Sequence, residues 1–204
     1  MVIGLDLDNT IICYDEVFAV TAQELGWITK DGRQSKARVK AEVMARLGND
    51  CWTELQAHVY GPFLHRAVPF PGVEDVVRSL RAAGHTLVVI SHKTRFPALG
   101  PQCDLRKAAL EWLDARGWFA PGMLGGDDGA VEFHDSRSAK VAAIARRGCQ
   151  HFVDDLPEVF EEPGFPQATR RILFDPAGMH ADYTGAVVCR AWGDIPALLS
   201  SIPR

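Results

Sequence analysis

Two carboxylates, Asp6 and Asp8, stand two residues apart where the apolar run Val2, Ile3 and Leu5 gives out, and Thr10 follows them. Strand side chains alternate in direction, so both carboxylates point to one side with Leu7 opposite. Their mutual repulsion needs relief, and a hard divalent cation held by oxygen is the usual relief. A surface turn of the same composition rarely follows so buried-looking a run, and the pair therefore reads as a site. Other metal chemistries lack their residues. The seven histidines form no HxH or HExxH group, and Cys13, Cys51, Cys103, Cys149 and Cys189 have no CxxC spacing, which speaks against zinc. The histidines read as surface or satisfied core residues.

The elements that must position Asp6 and Asp8 follow from periodicity. Val2 to Leu5, Thr86 to Ile90, Val131 to Phe133, His151 to Val153 and Ile172 to Phe174 are short apolar runs, as expected of strands buried on both faces. Helical patterns lie between them. Val73, Val76, Val77 and Leu80 recur at i, i+3, i+4 and i+7 between the Pro71-Gly72 turn and Gly84, and Leu105, Ala108, Ala109, Trp112 and Leu113 repeat the pattern up to Gly117. Strands and helices in alternation predict a parallel, doubly wound sheet with ligands at the carboxyl ends of its strands. Asp6, Ser91 and Asp154 all fall on that edge.

A chain of 204 residues with 47% hydrophobic content is long enough for one domain with a modest insertion. The net charge of -4, with basic and acidic residues interspersed, gives no footprint for a nucleic-acid partner. The odd, scattered cysteines suit free thiols in a reducing compartment. No signal segment or membrane-spanning stretch is visible, so the expected location is the cytoplasm, with no membrane partner. Oligomeric state is not legible.

DLDNT at residues 6 to 10 resembles the first motif, DxDx[T/V], of the haloacid dehalogenase-like (HAD) phosphohydrolases. The remaining pieces of that family's pattern follow in order: Ser91 in TLVVISHK, Lys140 in SRSAKVAAIARRG, and the acidic pair Asp154 and Asp155 in HFVDDLPEVF. The resemblance spans residues 1 to about 160 and implies a HAD-like α/β fold, a doubly wound parallel sheet with a Rossmann-like core and a small helical cap inserted after the first strand. The core would comprise residues 1–13 and 70–204, and the cap residues 14–69.

Each part of a phosphoryl transfer to water then has a candidate. Asp6 resembles the family nucleophile, which becomes an aspartyl phosphate, and Asp8 the acid that protonates the leaving oxygen and later takes a proton from water. Mg²⁺ would be held by Asp6, the backbone carbonyl of Asp8 and the acidic pair. Asp154 is the preferred direct ligand, with Asp155 one water removed or a ligand in its place. Ser91 and the backbone amide of His92 match the donors to phosphoryl oxygens. Lys140 would offset the charge of Asp6 and phosphate, with Arg137, one turn earlier, as its competitor. Lys93 and Arg95 could face substrate or solvent.

Residues 14 to 69 carry three helical patterns: Phe18, Ala22 and Leu25; Val39, Val43 and Leu47; and Trp52, Leu55 and Val59. The basic stretch Lys30, Arg33, Lys36, Arg38 and Lys40 could meet an anionic substrate, although a solvated helix face is the simpler expectation. Tyr14 is a hinge or pocket candidate by position. The carboxylate at position 8 favours phosphoryl transfer over dehalogenation. A phosphonatase would need a Schiff-base lysine, for which Lys36 and Lys40 are conceivable. The reading is a Mg²⁺-dependent phosphatase of a small phosphorylated metabolite, of the sugar phosphate or nucleotide class. The alternatives are a phosphomutase and a non-catalytic HAD-fold binding or regulatory module.

Overall fold

The computed structural model describes residues 1–29, 34–125 and 130–200. In chain order its strands are β1 (Val2–Leu5), β2 (Ile12–Cys13), β3 (Val68–Pro69), β4 (Thr86–His92), β5 (Val131–His134), β6 (His151–Asp154), β7 (Arg170–Phe174) and β8 (Val187–Cys189). Its helices are α1 (Asp15–Glu24), α2 (Lys36–Leu47), α3 (Asn49–Tyr60), α4 (Val73–Ala82), α5 (Leu105–Ala115), α6 (Arg137–Arg146), α7 (Pro157–Phe160) and α8 (Ile195–Ser200). Six strands form one sheet in the order β5-β4-β1-β6-β7-β8, and β2 pairs with β3 apart from it. Every pairing in the six-stranded sheet is parallel. Five of its strands cover the apolar runs of the sequence. The sixth, β8, is a three-residue element too short to be told from a loop by pattern.

The chain divides into two compact units. One contains the six-stranded sheet and comprises Met1–Ile12, Pro69–Lys93 and the chain from Gly117 on. On one face of its sheet, Val88 and Ile90 of β4 pack with Val141 and Ile144 of α6, Phe152, Phe160, Phe165 and Leu173. Helix α4 also contacts β4, but none of its buried residues, Val73, Val76, Val77 and Leu80, joins that cluster, so it covers the opposite face. There it meets α8 and the turn containing Trp192.

The first face has little room to spare. A Cβ on Gly4 would lie 2.4 Å from Cδ2 of Phe152 and 2.9 Å from Sγ of Cys149, well inside contact distance. Glycine therefore lets β1 and β6 pair as neighbours beneath α6. Gly4→Ala should lower stability by roughly 1–3 kcal/mol, the usual cost of overpacking, as measured by urea unfolding. An unchanged midpoint would show that Phe152 can move aside without cost.

One buried group is poorly matched to its surroundings. His151, at the start of β6 between Ile3 and Arg170, is 3% exposed, and neither ring nitrogen has a hydrogen-bond partner among the described residues. It is thus neither of the two kinds of histidine the sequence suggests, a surface residue or a satisfied core residue. Burial, aided by the charges of Arg170, His85 and the N-terminus, pushes its imidazole below the ordinary 6.5. The unfolded chain takes up a proton near pH 6.5 and the folded one only lower. Stability is therefore steady above that pH and falls as pH drops from 6.5 towards the folded value. His151→Leu should be as stable as the parent at pH 8, or up to about 1 kcal/mol more stable, because an unmatched polar group is removed. It should also lose less stability between pH 8 and pH 5. An equal acid loss in both proteins would show that other groups set the acid limb.

The second unit comprises Cys13–Val68 and Thr94–Arg116, so it takes in α5 as well as α1 to α3. Phe18 of α1 stacks on Trp52 of α3 with ring centroids 5.0 Å apart, and Val39, Val43 and Leu55 are fully buried. Helix α5 is tied in by Trp112, whose indole N–H donates to the carbonyl of Ala67 at 2.9 Å. Tyr14 is buried edge-on against Phe18 and Tyr60. Lys36 is not on a solvated face. Its ammonium donates to the Tyr60 hydroxyl at 3.0 Å and lies 5.4–6.0 Å from the ring centroids of Tyr14, Phe18 and Tyr60. Arg38 and Lys40 are exposed, and Lys30 and Arg33 lie outside the described residues.

Candidate active site

The strand edges that the sequence marks converge within the sheet-containing unit. The Asp6 amide donates to the carbonyl of Val153 at 2.9 Å, which extends the β1–β6 pairing by one residue and sets Asp6 beside the end of β6, where Asp154 lies. Past Asp6 the chain folds tightly back. The amides of Ile11 and Ile12 both donate to the Leu7 carbonyl at 3.0 Å, the Asn9 amide donates to the Ile12 carbonyl, and Asn9 takes the left-handed conformation that asparagine tolerates. Buried Trp192 braces this turn by donating its indole N–H to the Thr10 carbonyl at 2.9 Å. The backbone of Asp8 is thereby set before any ligand arrives.

Carboxylate oxygens of Asp6, Asp154 and Asp155 lie within 4.8 Å of one another. Asp154 is fully buried, Asp6 nearly so, and Asp155 half-buried. Between the first two stands the ammonium of Lys140, 2.5 Å from Oδ1 of Asp6 and 2.6 Å from Oδ2 of Asp154. The Ser136 hydroxyl caps α6 by accepting the Ala139 amide, fixing the first turn from which Lys140 projects. Arg137, the competitor in sequence, is half-exposed and lies 3.9 Å from Glu162. Oδ1 of Asp154 accepts the Leu156 amide at 3.0 Å.

Burial makes this cluster costly. It pushes the Asp6 carboxyl up to about 7; the neighbouring Asp154 and Asp8 add to the rise and Lys140 opposes it. Burial alone would lower the Lys140 ammonium, but Asp154 and Asp6 outweigh that and hold it above its ordinary value.

Ser91 is buried at the end of β4, paired in register with Phe133 of β5, and the next residue, His92, is exposed. The pairing runs on for one more residue, since the Lys93 amide donates to the His134 carbonyl at 2.9 Å. Lys93 is 4% exposed, and its ammonium lies 2.7 Å from Oδ2 of Asp8. From the sequence Lys93 could face either substrate or solvent. The signal that could have singled it out is its spacing of two from Ser91, the same spacing that aligns Asp6 with Asp8. Arg95 instead pairs with Asp104 at 2.8 Å in the other unit.

Four carboxylates, those of Asp6, Asp8, Asp154 and Asp155, thus stand with two ammonium groups, those of Lys93 and Lys140. The surplus is negative and the donors are hard oxygens, a set that fits Mg²⁺ and not a thiophilic metal.

No family model and no curated protein matches the sequence. Solved structures do match the fold. YfnB from Bacillus subtilis, determined bound to magnesium, is 11% identical with a TM-score of 0.62, over 98% of both chains. A HAD family hydrolase from Deinococcus radiodurans, with bound phosphate and sodium, is 13% identical with a TM-score of 0.56, over 98% of this chain and 94% of the other. A candidate beta-phosphoglucomutase from Thermotoga maritima is 12% identical with a TM-score of 0.57, over 99% of both chains. With its order of parallel strands and acidic strand ends, the chain has the fold of the HAD-like hydrolases.

Proposed function

We propose that this protein is a Mg²⁺-dependent phosphatase of a small phosphorylated metabolite, of the sugar phosphate or nucleotide class, working through an aspartyl phosphate on Asp6. The observation that carries the reading is the buried Asp6–Lys140–Asp154 arrangement beside Asp8 at the carboxyl ends of the strands. Lys140 occupies Oδ1 of Asp6, leaving Oδ2 to attack phosphorus. Asp8 protonates the leaving oxygen, then takes a proton from the water that releases phosphate. Ser91 and the His92 amide donate to the phosphoryl oxygens.

Asp6, Asp154 and the backbone carbonyl of Asp8 would hold Mg²⁺, with Asp155 behind a water or as a ligand in place of Asp154. Bound there, the ion would supply charge neutralisation for an anionic nucleophile meeting an anionic substrate. In this reading the helical unit is a cap that excludes water and contacts the rest of the substrate. The magnesium and phosphate in the two structural neighbours accord with it. A phosphomutase differs only in passing the phosphoryl group to a sugar hydroxyl.

The test is phosphate release across sugar phosphates, nucleotides and phosphorylated acids, with Mg²⁺, with Ca²⁺ and in chelator. Release should need Mg²⁺ and be inhibited by Ca²⁺, whose larger coordination number would draw the attacking Asp6 oxygen into its shell. Full activity in chelator would contradict the metal. Silence across the panel would favour a binding module.

A further inference from the structure

Lys93 is an expensive residue where it stands. Its side chain is 3% exposed just past β4, and its ammonium lies 2.7 Å from Oδ2 of Asp8, whose side chain is 18% exposed. Taking such a charge out of water is costly, and a buried pair commonly adds no stability over an apolar pair of like volume. A structural purpose alone therefore accounts poorly for it. Its backbone is held by the β4–β5 pairing, and the backbone of its partner by the Leu7-to-Ile12 turn, so both ends of the contact are fixed.

We propose that Lys93 is the positioning residue for Asp8, selecting the oxygen through which Asp8 passes its proton. The inference rests on the phosphatase reading given above. An ammonium has three donors and no acceptor. While Lys93 donates to Oδ2 of Asp8, a proton on that carboxyl must sit on Oδ1. Lys93 thus leaves the carboxyl one working oxygen. In the first step the Asp6 oxygen forms its bond to phosphorus as the ester P–O bond breaks. The bonding pair goes to the ester oxygen, which takes the proton from Oδ1 of Asp8. Lys93 itself neither gains nor loses a proton.

The consequence is a dependence on the leaving group. p-Nitrophenolate leaves without much help from an acid, whereas phenolate needs its oxygen protonated. The experiment measures kcat/KM, which reports the first step, for p-nitrophenyl and phenyl phosphate with Mg²⁺, using the full-length chain and Lys93→Met, Lys93→Arg, Asp8→Asn and Asp8→Asn/Lys93→Met. Lys93→Met should lose less than about tenfold on the nitrophenyl ester and roughly a hundredfold or more on the phenyl ester. Lys93→Arg, which restores a cationic donor, should recover much of the difference. In the Asp8→Asn background, removing Lys93 should change neither ester by more than about threefold, because its partner is already lost.

Equal losses of Lys93→Met on both esters would overturn the proposal. So would a further loss of about tenfold in the double variant relative to Asp8→Asn, which would mean that Lys93 acts without Asp8. The double variant leaves neither ion of the pair, so it keeps the test open if Lys93→Met fails to fold. Silence of the parent protein on every ester overturns the phosphatase reading itself, and this inference with it. That outcome is visible before any variant is compared.

Discussion

Asp6→Asn should release phosphate at least roughly 10⁴-fold more slowly than the parent while remaining folded. The amide is nearly isosteric with the carboxylate but cannot attack phosphorus. Stability should not suffer, because the substitution removes a carboxyl whose ionised form burial already disfavours, as its rise to about 7 indicates. In chelator at pH 8, where that carboxyl is ionised, Asp6→Asn should unfold at a urea concentration equal to or above that of the parent. At pH 4, where the folded parent holds a proton there, this advantage should vanish. Phosphate release at near-parent rates would remove Asp6 from the chemistry. A collapsed unfolding midpoint would show that its role is structural.

Lys140→Met should have the opposite profile, with large losses in both stability and turnover. Lys140 is 2% exposed and is the ammonium bonded to both Asp6 and Asp154. Without it, two buried carboxylates face each other uncompensated, and removing one partner of a buried ionic cluster costs roughly 3–5 kcal/mol. Because the loss arises from like charges, it should shrink as pH falls and Asp6, whose carboxyl burial pushes up to about 7, takes up a proton. It should also shrink when Mg²⁺ is added, because the ion replaces part of the missing charge. Urea unfolding at pH 8 and pH 5, with Mg²⁺ and in chelator, measures all three effects. A loss that responds to neither pH nor Mg²⁺ would identify Lys140 as a packing element alone. Turnover should fall by roughly 10³-fold, since preorganised charge at the nucleophile is lost.

Much of this architecture is legible in the sequence because it rests on short-range signals. An apolar run ending in an acid or a serine marks a strand of a parallel sheet and its ligand-bearing edge, and β1, β4 and β6 were found in this way. The i, i+3, i+4 spacing likewise marked α4 and α5 as helices. It could not tell which neighbours they pack against. Helix α5 lies in the same compact unit as α1 to α3, anchored by Trp112 at the Ala67 carbonyl, and periodicity holds no record of that partner. Strand β8 escaped because three residues carry no period.

Charged residues were the least legible. Lys36, Lys93 and Lys140 are all lysines near strand or helix ends, yet one lies among aromatic rings, one beside Asp8 and one between Asp6 and Asp154, and only the last is marked in the sequence, by the family resemblance. Long flexible side chains find partners far away in sequence, and composition alone does not say which. His151 shows the same limit from the other side, being a polar residue within an apolar run whose lack of partners appears only once its neighbours are in place.

In the proposed mechanism Asp6 itself carries the phosphoryl group. The experiment mixes Asp8→Asn, which in the proposed mechanism lacks the base for the second step, with p-nitrophenyl phosphate and Mg²⁺, quenches in acid, and reduces the protein with borohydride before peptide mass spectrometry. An acyl phosphate on Asp6 is converted to homoserine by this treatment. Homoserine is expected at position 6, dependent on substrate and on Mg²⁺, and none in Asp6→Asn/Asp8→Asn. Nitrophenolate release with Asp6 unmodified, or modification at another carboxylate, would contradict it.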